Sequence, residues 1–183
     1  SYLLWTLYCR SSSIFSQKHY SFMSFWSKYK ILILTLFLTY VISVPAGIVT
    51  GTSVSTWYAT ILRPSFSPPN WIFGPVWTTL YALMSVAVWN VWKELQNHNQ
   101  SLAKNIMIIY YVHLLIGASW SFVFFGVHHI GYAALIIVVI LIFILWLMKL
   151  YFSISELSFY LMVPYLLWSS FALVLNLSIW KLN

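Results

Sequence analysis

The sequence has very little charge, and almost none of it is negative. Charged residues make up 6% of its 183 residues, and only Glu94 and Glu156 are acidic. A soluble domain carries roughly 25% charged residues, so this chain cannot cover a surface that faces water on every side. Two carboxylates also exclude the paired acids of glycosidases and most carboxylate cages for hard metals. We therefore expect an integral membrane protein.

Other familiar sites are missing as well. The single cysteine, Cys9, excludes disulfide frameworks and cysteine zinc sites, and the adjacent His128 and His129 lack the spacing and third ligand of a zinc site. The nine basic residues are scattered singly, which argues against nucleic acid as a partner. There is no nucleophile beside a base and no glycine-rich phosphate loop. Any enzyme built on this chain would have to use aromatic residues or a bound chromophore, and we expect no metal.

Apolar and aromatic residues are abundant instead, at 62% and 20% of the chain. A bilayer core requires roughly 20 consecutive apolar residues per helix. Uncharged or nearly uncharged stretches of that length occur at about Ile31–Val49, Pro75–Trp92, Ile106–Phe125, Tyr132–Phe152 and Leu157–Trp180. The predicted fold is an all-α membrane protein, a bundle of five transmembrane helices.

The start of the first span divides the chain into two parts. Residues 1–28 are basic, rich in serine and free of acids. They read as an N-terminal extension, either a transit-like segment or sequence that precedes the true start, with Met23 as a candidate initiator. Residues 29–183 form the five-helix domain. Within it, Pro64, Pro68 and Pro69 interrupt any helix, and we expect a structured cap loop at about 50–74.

The cations predict the orientation. Seven of the nine fall on the N-terminal side of a five-span chain, whereas only Arg63 and Lys181 fall on the other side. The positive-inside rule then places the N-terminus in the cytoplasm if the protein is bacterial. The sequence leaves open whether the membrane is a bacterial inner membrane or that of a mitochondrion or another organelle.

Helical periodicity groups large aromatic residues with small or polar ones on several spans. Packing between helices is the ordinary explanation of such stripes. Asn176, deep in the fifth span, is as consistent with helix-to-helix hydrogen bonding as with ligand contact. Gly47 and Gly51 form a GxxxG pattern, which suits either dimerisation or helix packing.

Three long motifs resemble the translocator protein family, also known as TspO/MBR, the tryptophan-rich sensory proteins or the peripheral benzodiazepine receptors. Residues 57–69 and 74–84 read WYATILRPSFSPP and GPVWTTLYALM. Residues 120–126 read WSFVFFG, and the chain closes with PYLLW, FA, LN and WKLN between residues 164 and 183. The motifs recur in the family's order with spans of the right length between them.

The resemblance implies a membrane receptor or transporter, often homodimeric, that binds planar hydrophobic molecules within its bundle. Porphyrins and haem-like tetrapyrroles would be ligands, no resident cofactor would be needed, and membrane lipid would surround the bundle. By motif position it assigns ligand contact to Phe73, Val76, Trp77, Tyr81, Trp120, Trp168, Ala172, Leu175 and Asn176. Trp77 and Trp168 match tryptophans linked to porphyrin breakdown, which makes them the candidate catalytic pair of a light- and oxygen-dependent alternative.

Departures from the family pattern narrow the choice of ligand. Ile116-Gly117 replaces the usual Leu-Asn, which removes an amide from the pocket. The cap has Arg63 for the usual lysine and Phe66 for the usual tryptophan. Leu177 stands where the sterol motif of animal members requires a tyrosine, so sterol is the weaker alternative to a tetrapyrrole. A scaffold for partner proteins, with the aromatics serving only as packing, is the remaining alternative.

Overall fold

Five long helices account for most of the chain from residue 29 onward. The computed structural model describes residues 29–183, and five of its helices are long and apolar enough to cross a membrane. This confirms the predicted all-α bundle of five transmembrane helices; the predicted extension at 1–28, with Met23, lies outside the described residues. The helices are α1 (29–54), α2 (Trp57–Thr60), α3 (Phe73–Leu95), α4 (Gln100–Ser121), α5 (Ile130–Phe152) and α6 (Glu156–Leu182), of which α2 alone is short.

Side-chain caps explain why some helices begin before the apolar stretch does. Asn99 precedes α4, and its Oδ1 accepts a hydrogen bond from the Leu102 amide at 3.1 Å. Ser155 does the same for α6 through the Ser158 amide at 3.4 Å, and Glu156 in the first turn complements the helix dipole. These caps fix two helix starts at the end of the bundle opposite the cap loop, which we call the far end.

Helix α4 ends in a widened turn at the cap end. Residues Phe122–Gly126 are π-helical, and the Val127 amide donates to the Phe122 carbonyl at 2.9 Å. The extra residue in the turn helps to bury two consecutive rings, Phe124 and Phe125, beneath the cap. Wide turns of this kind are frequent at functional sites.

The cap is held at both sides. Helix α1 continues to residue 54, so residues 50–54 of the predicted cap are helical, and the following chain contains α2 and the 3₁₀ turn Asn70–Ile72. Tyr58 is buried against Phe124 and Phe125. At the end of α6, Asn183 Nδ2 donates to the Leu62 carbonyl and Asn183 Oδ1 accepts from the Leu62 amide, each at 3.0 Å.

Residues 35–183 form one compact unit. Among α3, α4, α5 and α6, the pair α5 and α6 has the most extensive contact, and α4 with α5 and α3 with α6 follow. A tightly packed core toward the far end includes Met84, Val88 and Ile144. Three buried hydroxyls link α1, α3 and α4 there, because Thr39 Oγ1 lies 2.9 Å from Tyr110 Oη and 3.1 Å from Ser85 Oγ. Polar groups inside a bilayer need such internal partners.

Candidate binding site

A half-open cavity of about 320 Å³ lies between α1, α3 and α4 on the cap side of the bundle. We call it the open cavity. Its lining is mainly apolar, and Val44 on α1 is exposed at its edge. It is lined by Tyr40, Ser43, Val44, Ala46, Gly47, Thr50, Gly51, Val54, Asn70, Phe73, Gly74, Trp77, Thr78, Tyr81, Leu114, Gly117, Trp120, Ser121 and Tyr165.

Aromatic rings form one wall of the open cavity. The rings of Trp77 and Tyr81 are one helical turn apart on α3 and stack with centroids 5.5 Å apart and planes 28° apart. Tyr40 meets Tyr81 edge-on at 6.2 Å, and Tyr165 meets Trp77 edge-on at the same distance. Packed rings of this kind hold one another in place, so the wall is preformed.

Glycines provide space beside these rings. Gly47, Gly51, Gly74 and Gly117 all line the open cavity, and a methyl group added to any of them would have no atom within 4 Å apart from its chain neighbours and the backbone of its own helix. Gly131, outside the cavity, differs because an added methyl would lie 2.9 Å from the Trp180 ring. The four lining glycines therefore face empty volume and not a neighbouring helix.

A second pocket shares part of the aromatic wall but is nearly filled. It has a volume of only about 30 Å³, and we call it the packed pocket. The centroid of the Trp168 ring lies 6.3 Å from that of Phe73 and 5.6 Å from that of Phe171. Its lining consists of Tyr58, Phe73, Trp77, Trp120, Phe124, Phe125, Trp168, Phe171, Ala172, Leu175, Asn176 and Ile179.

Both ends of the Asn176 amide are hydrogen-bonded in this packed pocket. Its Oδ1 accepts from Trp120 Nε1 at 3.2 Å, and its Nδ2 donates to the Ile130 carbonyl at 2.8 Å. These bonds join α6 to α4 and α5. Of the two roles that the sequence left open for Asn176, helix-to-helix hydrogen bonding is the one visible in this arrangement.

Comparison with known proteins agrees with these features. The sequence model of the TspO/MBR family matches residues 31–181, which includes all five spanning helices and both cavities. The chain belongs to the TspO/MBR family. It is a multi-pass integral membrane protein.

Named members of the family come from distant organisms. Protein CrtK of Rhodobacter capsulatus is 34% identical over 152 residues, which cover 82% of this chain and 94% of that protein. The human translocator protein is 32% identical over 127 residues, covering 69% and 75%. The tryptophan-rich protein TspO of Archaeoglobus fulgidus is 36% identical over 134 residues, covering 73% and 84%.

The ligand-contact residues predicted for this TspO/MBR chain are distributed over the open cavity and the packed pocket. Phe73, Trp77 and Trp120 line both, and Tyr81 lines the open cavity alone. Of these two sites, the packed pocket alone is lined by Trp168, Ala172, Leu175 and Asn176. Val76 lines neither; it lies in an outer groove between α3 and α6, where it is half-buried.

The predicted set omits every residue of α1, although α1 contributes much of the open cavity. Ser43, Gly47 and Gly51 line it and follow one another at four-residue spacing. That spacing is a sequence signal for a cavity wall, because it places three small residues on one helix face. The same GxxxG pattern more commonly indicates dimerisation or helix packing, so it does not by itself identify a cavity.

A buried polar pair lies behind the aromatic wall. His113 Nε2 is 2.8 Å from the hydroxyl of Tyr165, and both residues are buried. Because the Tyr165 ring also lines the open cavity, this bond fixes one of the surfaces that a ligand would meet. The arrangement gives His113 a structural partner across α4 and α6.

Proposed function

We propose that this protein is a membrane receptor or carrier that binds planar, largely apolar ring compounds in the open cavity, with porphyrins and related tetrapyrroles as the preferred class. The observation that carries the proposal is the pairing of a preformed wall of stacked rings with a glycine-lined space beside it. A flat ring system can lie against the rings of Trp77 and Tyr81. Each aromatic contact of this kind contributes about 0.5–1.5 kcal/mol beyond simple burial.

The size of the cavity adds detail to the proposal. Its volume of about 320 Å³ is at the lower end of the range of roughly 300–1,000 Å³ for ligand pockets. A compound of a few fused rings fits inside. A whole tetrapyrrole would extend through the open side, past the exposed Val44, where the surrounding lipid is also apolar.

Titration with protoporphyrin in the dark tests the proposal. The purified chain in neutral detergent should bind with a Kd in the micromolar range or below, followed by the porphyrin absorption band. Trp77→Phe should weaken binding several-fold, because Trp77 lines both spaces, and Trp168→Phe should weaken it less. Trp146→Phe is the matched control, since Trp146 is exposed on α5 outside both spaces. Equal affinities for wild type and Trp77→Phe would reject the proposed site.

A second candidate function is light- and oxygen-dependent breakdown of the bound porphyrin, with Trp77 and Trp168 as the residues involved. One observation favours it. Trp77 contacts both Tyr81 and Tyr165, so three rings that are comparatively easy to oxidise are in contact along one cavity wall. Molecular oxygen would be the oxidant, and the excited porphyrin would be both the light absorber and the substrate.

Illumination of the complex distinguishes the two functions. Breakdown as an activity requires that the porphyrin spectrum fade faster with protein than in detergent alone, that removal of oxygen stop the fading, and that Trp77→Phe or Trp168→Phe slow it. Trp146→Phe should leave the rate unchanged. If the fading rate is the same with and without protein, binding alone remains.

A further inference from the structure

We propose that Arg63 recognises a carboxylate on the molecule that occupies the open cavity, so that the ligands preferred are planar apolar compounds with an acidic side group. This inference rests on the proposed function and goes beyond it by naming the charge of the ligand.

Arg63 lies next to the edge of the open cavity. Its Nη1 donates to Oδ1 of Asn70 at 3.2 Å, and Asn70 is itself a lining residue. Its guanidinium lies over the Tyr58 ring, 5.1 Å from the centroid. Tyr58 belongs to α2 in the cap and is buried, so this contact holds the cation against the buried side of the cap.

Most of the donors of this guanidinium remain free for a ligand. Arginine has five N–H donors, and the bond to Asn70 uses one. The residue is exposed, and neither acidic side chain of the sequence is near it: Glu94 lies in the last turn of α3 and Glu156 begins α6, both at the far end. The one ion pair among residues 29–183 joins Lys93 and Glu94 at that same end.

The cavity itself contains no cation that could pair with an acid. None of its lining residues is charged, and the Thr50 and Thr78 hydroxyls donate to carbonyls of their own helices. A planar acid would therefore place its rings against Trp77 and Tyr81 and direct its carboxylate toward the cap. There a guanidinium offers the paired N–H geometry that a carboxylate accepts.

Protoporphyrin and its dimethyl ester provide the test, because they share the ring and differ in charge. Both are titrated into the purified full chain in a neutral detergent without phospholipid. The wild type should bind the free acid about tenfold more tightly than the ester, as expected for charge-assisted hydrogen bonds of about 1.5 kcal/mol or more. Arg63→Gln should abolish that preference, and Arg63→Lys should keep part of it.

Lys181→Gln is the control, since Lys181 is another exposed cation at the cap end and its substitution should leave the preference intact. High salt should reduce the wild-type preference, a measurement that needs no variant. Equal binding of acid and ester, or a preference that survives in Arg63→Gln, would overturn the role of Arg63 while the binding function stands. Failure of both forms to bind would overturn the function as well. An equal loss of affinity for acid and ester in Arg63→Gln would mean that Arg63 only holds the cap.

Discussion

The open cavity and the packed pocket share Phe73, Trp77 and Trp120, yet one is about 320 Å³ and the other about 30 Å³. The packed pocket has aromatic or branched side chains on nearly every side and no glycine. The open cavity is also lined by aromatic residues, but four glycines line it with them. Aromatic residues alone therefore do not make a binding site in this bundle, because without small residues beside them they fill their own space.

The comparison also separates two roles among the residues that resemble ligand contacts. Those on α6 lie in the packed pocket, where Asn176 and Trp168 join helices and rings. On α3, Phe73, Trp77 and Tyr81 line the open cavity. We infer that α6 sets the position of the wall and that α1 and α3 set the volume available to a ligand.

Filling the open cavity should have the largest effect. Gly117→Phe directs a ring into empty volume, so porphyrin affinity should fall at least about a hundredfold, or roughly 2.7 kcal/mol. Thermal unfolding should change little, because the added Cβ meets no atom of another helix within 4 Å and the ring enters a cavity of about 320 Å³. Leu115→Phe, at an exposed position on α4, is the control that should bind normally. Undiminished binding by Gly117→Phe would show that the ligand lies elsewhere.

Overfilling the packed pocket should affect stability more than binding. Ala172→Leu adds carbons where only about 30 Å³ is free, and we expect a loss of about 1–3 kcal/mol in the free energy of unfolding. The matched variant Val174→Leu, exposed on the same helix, should cost little. Unfolding in detergent followed by circular dichroism measures both. A neutral Ala172→Leu would mean that the pocket expands easily and is available to ligands.

Removing the amide that joins the packed pocket to its neighbours should have a somewhat smaller effect. Asn176→Ala leaves the Trp120 indole N–H and the Ile130 carbonyl without their partner, at an expected cost of about 1–2 kcal/mol. Ser178→Ala removes only a bond within α6 and serves as the control. Melting temperatures of the two variants provide the comparison, and equal values would show that Asn176 does not hold the helices together.

The smallest effect separates glycines that create volume from those required by packing. Gly117→Ala should stabilise the protein by up to about 1 kcal/mol, because alanine is the better helix former and its methyl group meets nothing. Gly131→Ala should gain less or lose stability, since the Trp180 ring must move away. If both substitutions behave alike in thermal unfolding, the distinction drawn between the two kinds of glycine fails.

The number and order of the helices could be predicted from the sequence because spanning a bilayer imposes a minimum apolar length. The residues at which the helices begin and end were harder to predict. Asn99 and Ser155 cap through single hydrogen bonds, and residues 50–54 continue α1 although they lie beyond its apolar stretch. Polar residues at the membrane surface extend a helix without altering the hydropathy that reveals it.

The shape of the site was harder to predict for a physical reason. A tryptophan such as Trp168 indicates that a large aromatic contact is present. It does not indicate whether the ring contacts a ligand or a neighbouring side chain. Gly47 and Gly51 have no side chain, and their four-residue spacing is the same whether another helix or empty space lies opposite. Only the arrangement of the surrounding helices decides between these cases, and that arrangement depends on residues far away in the sequence.

The paired hydrogen bonds between Asn183 and Leu62 have a mechanical consequence. They attach the end of α6 to the cap loop one residue before Arg63. A displacement of the end of α6 is therefore transmitted to the backbone beside Arg63 without passing through the stacked rings of Trp77 and Tyr81. We expect changes at this end of α6 to move the cation of the cap while the ring wall stays in place.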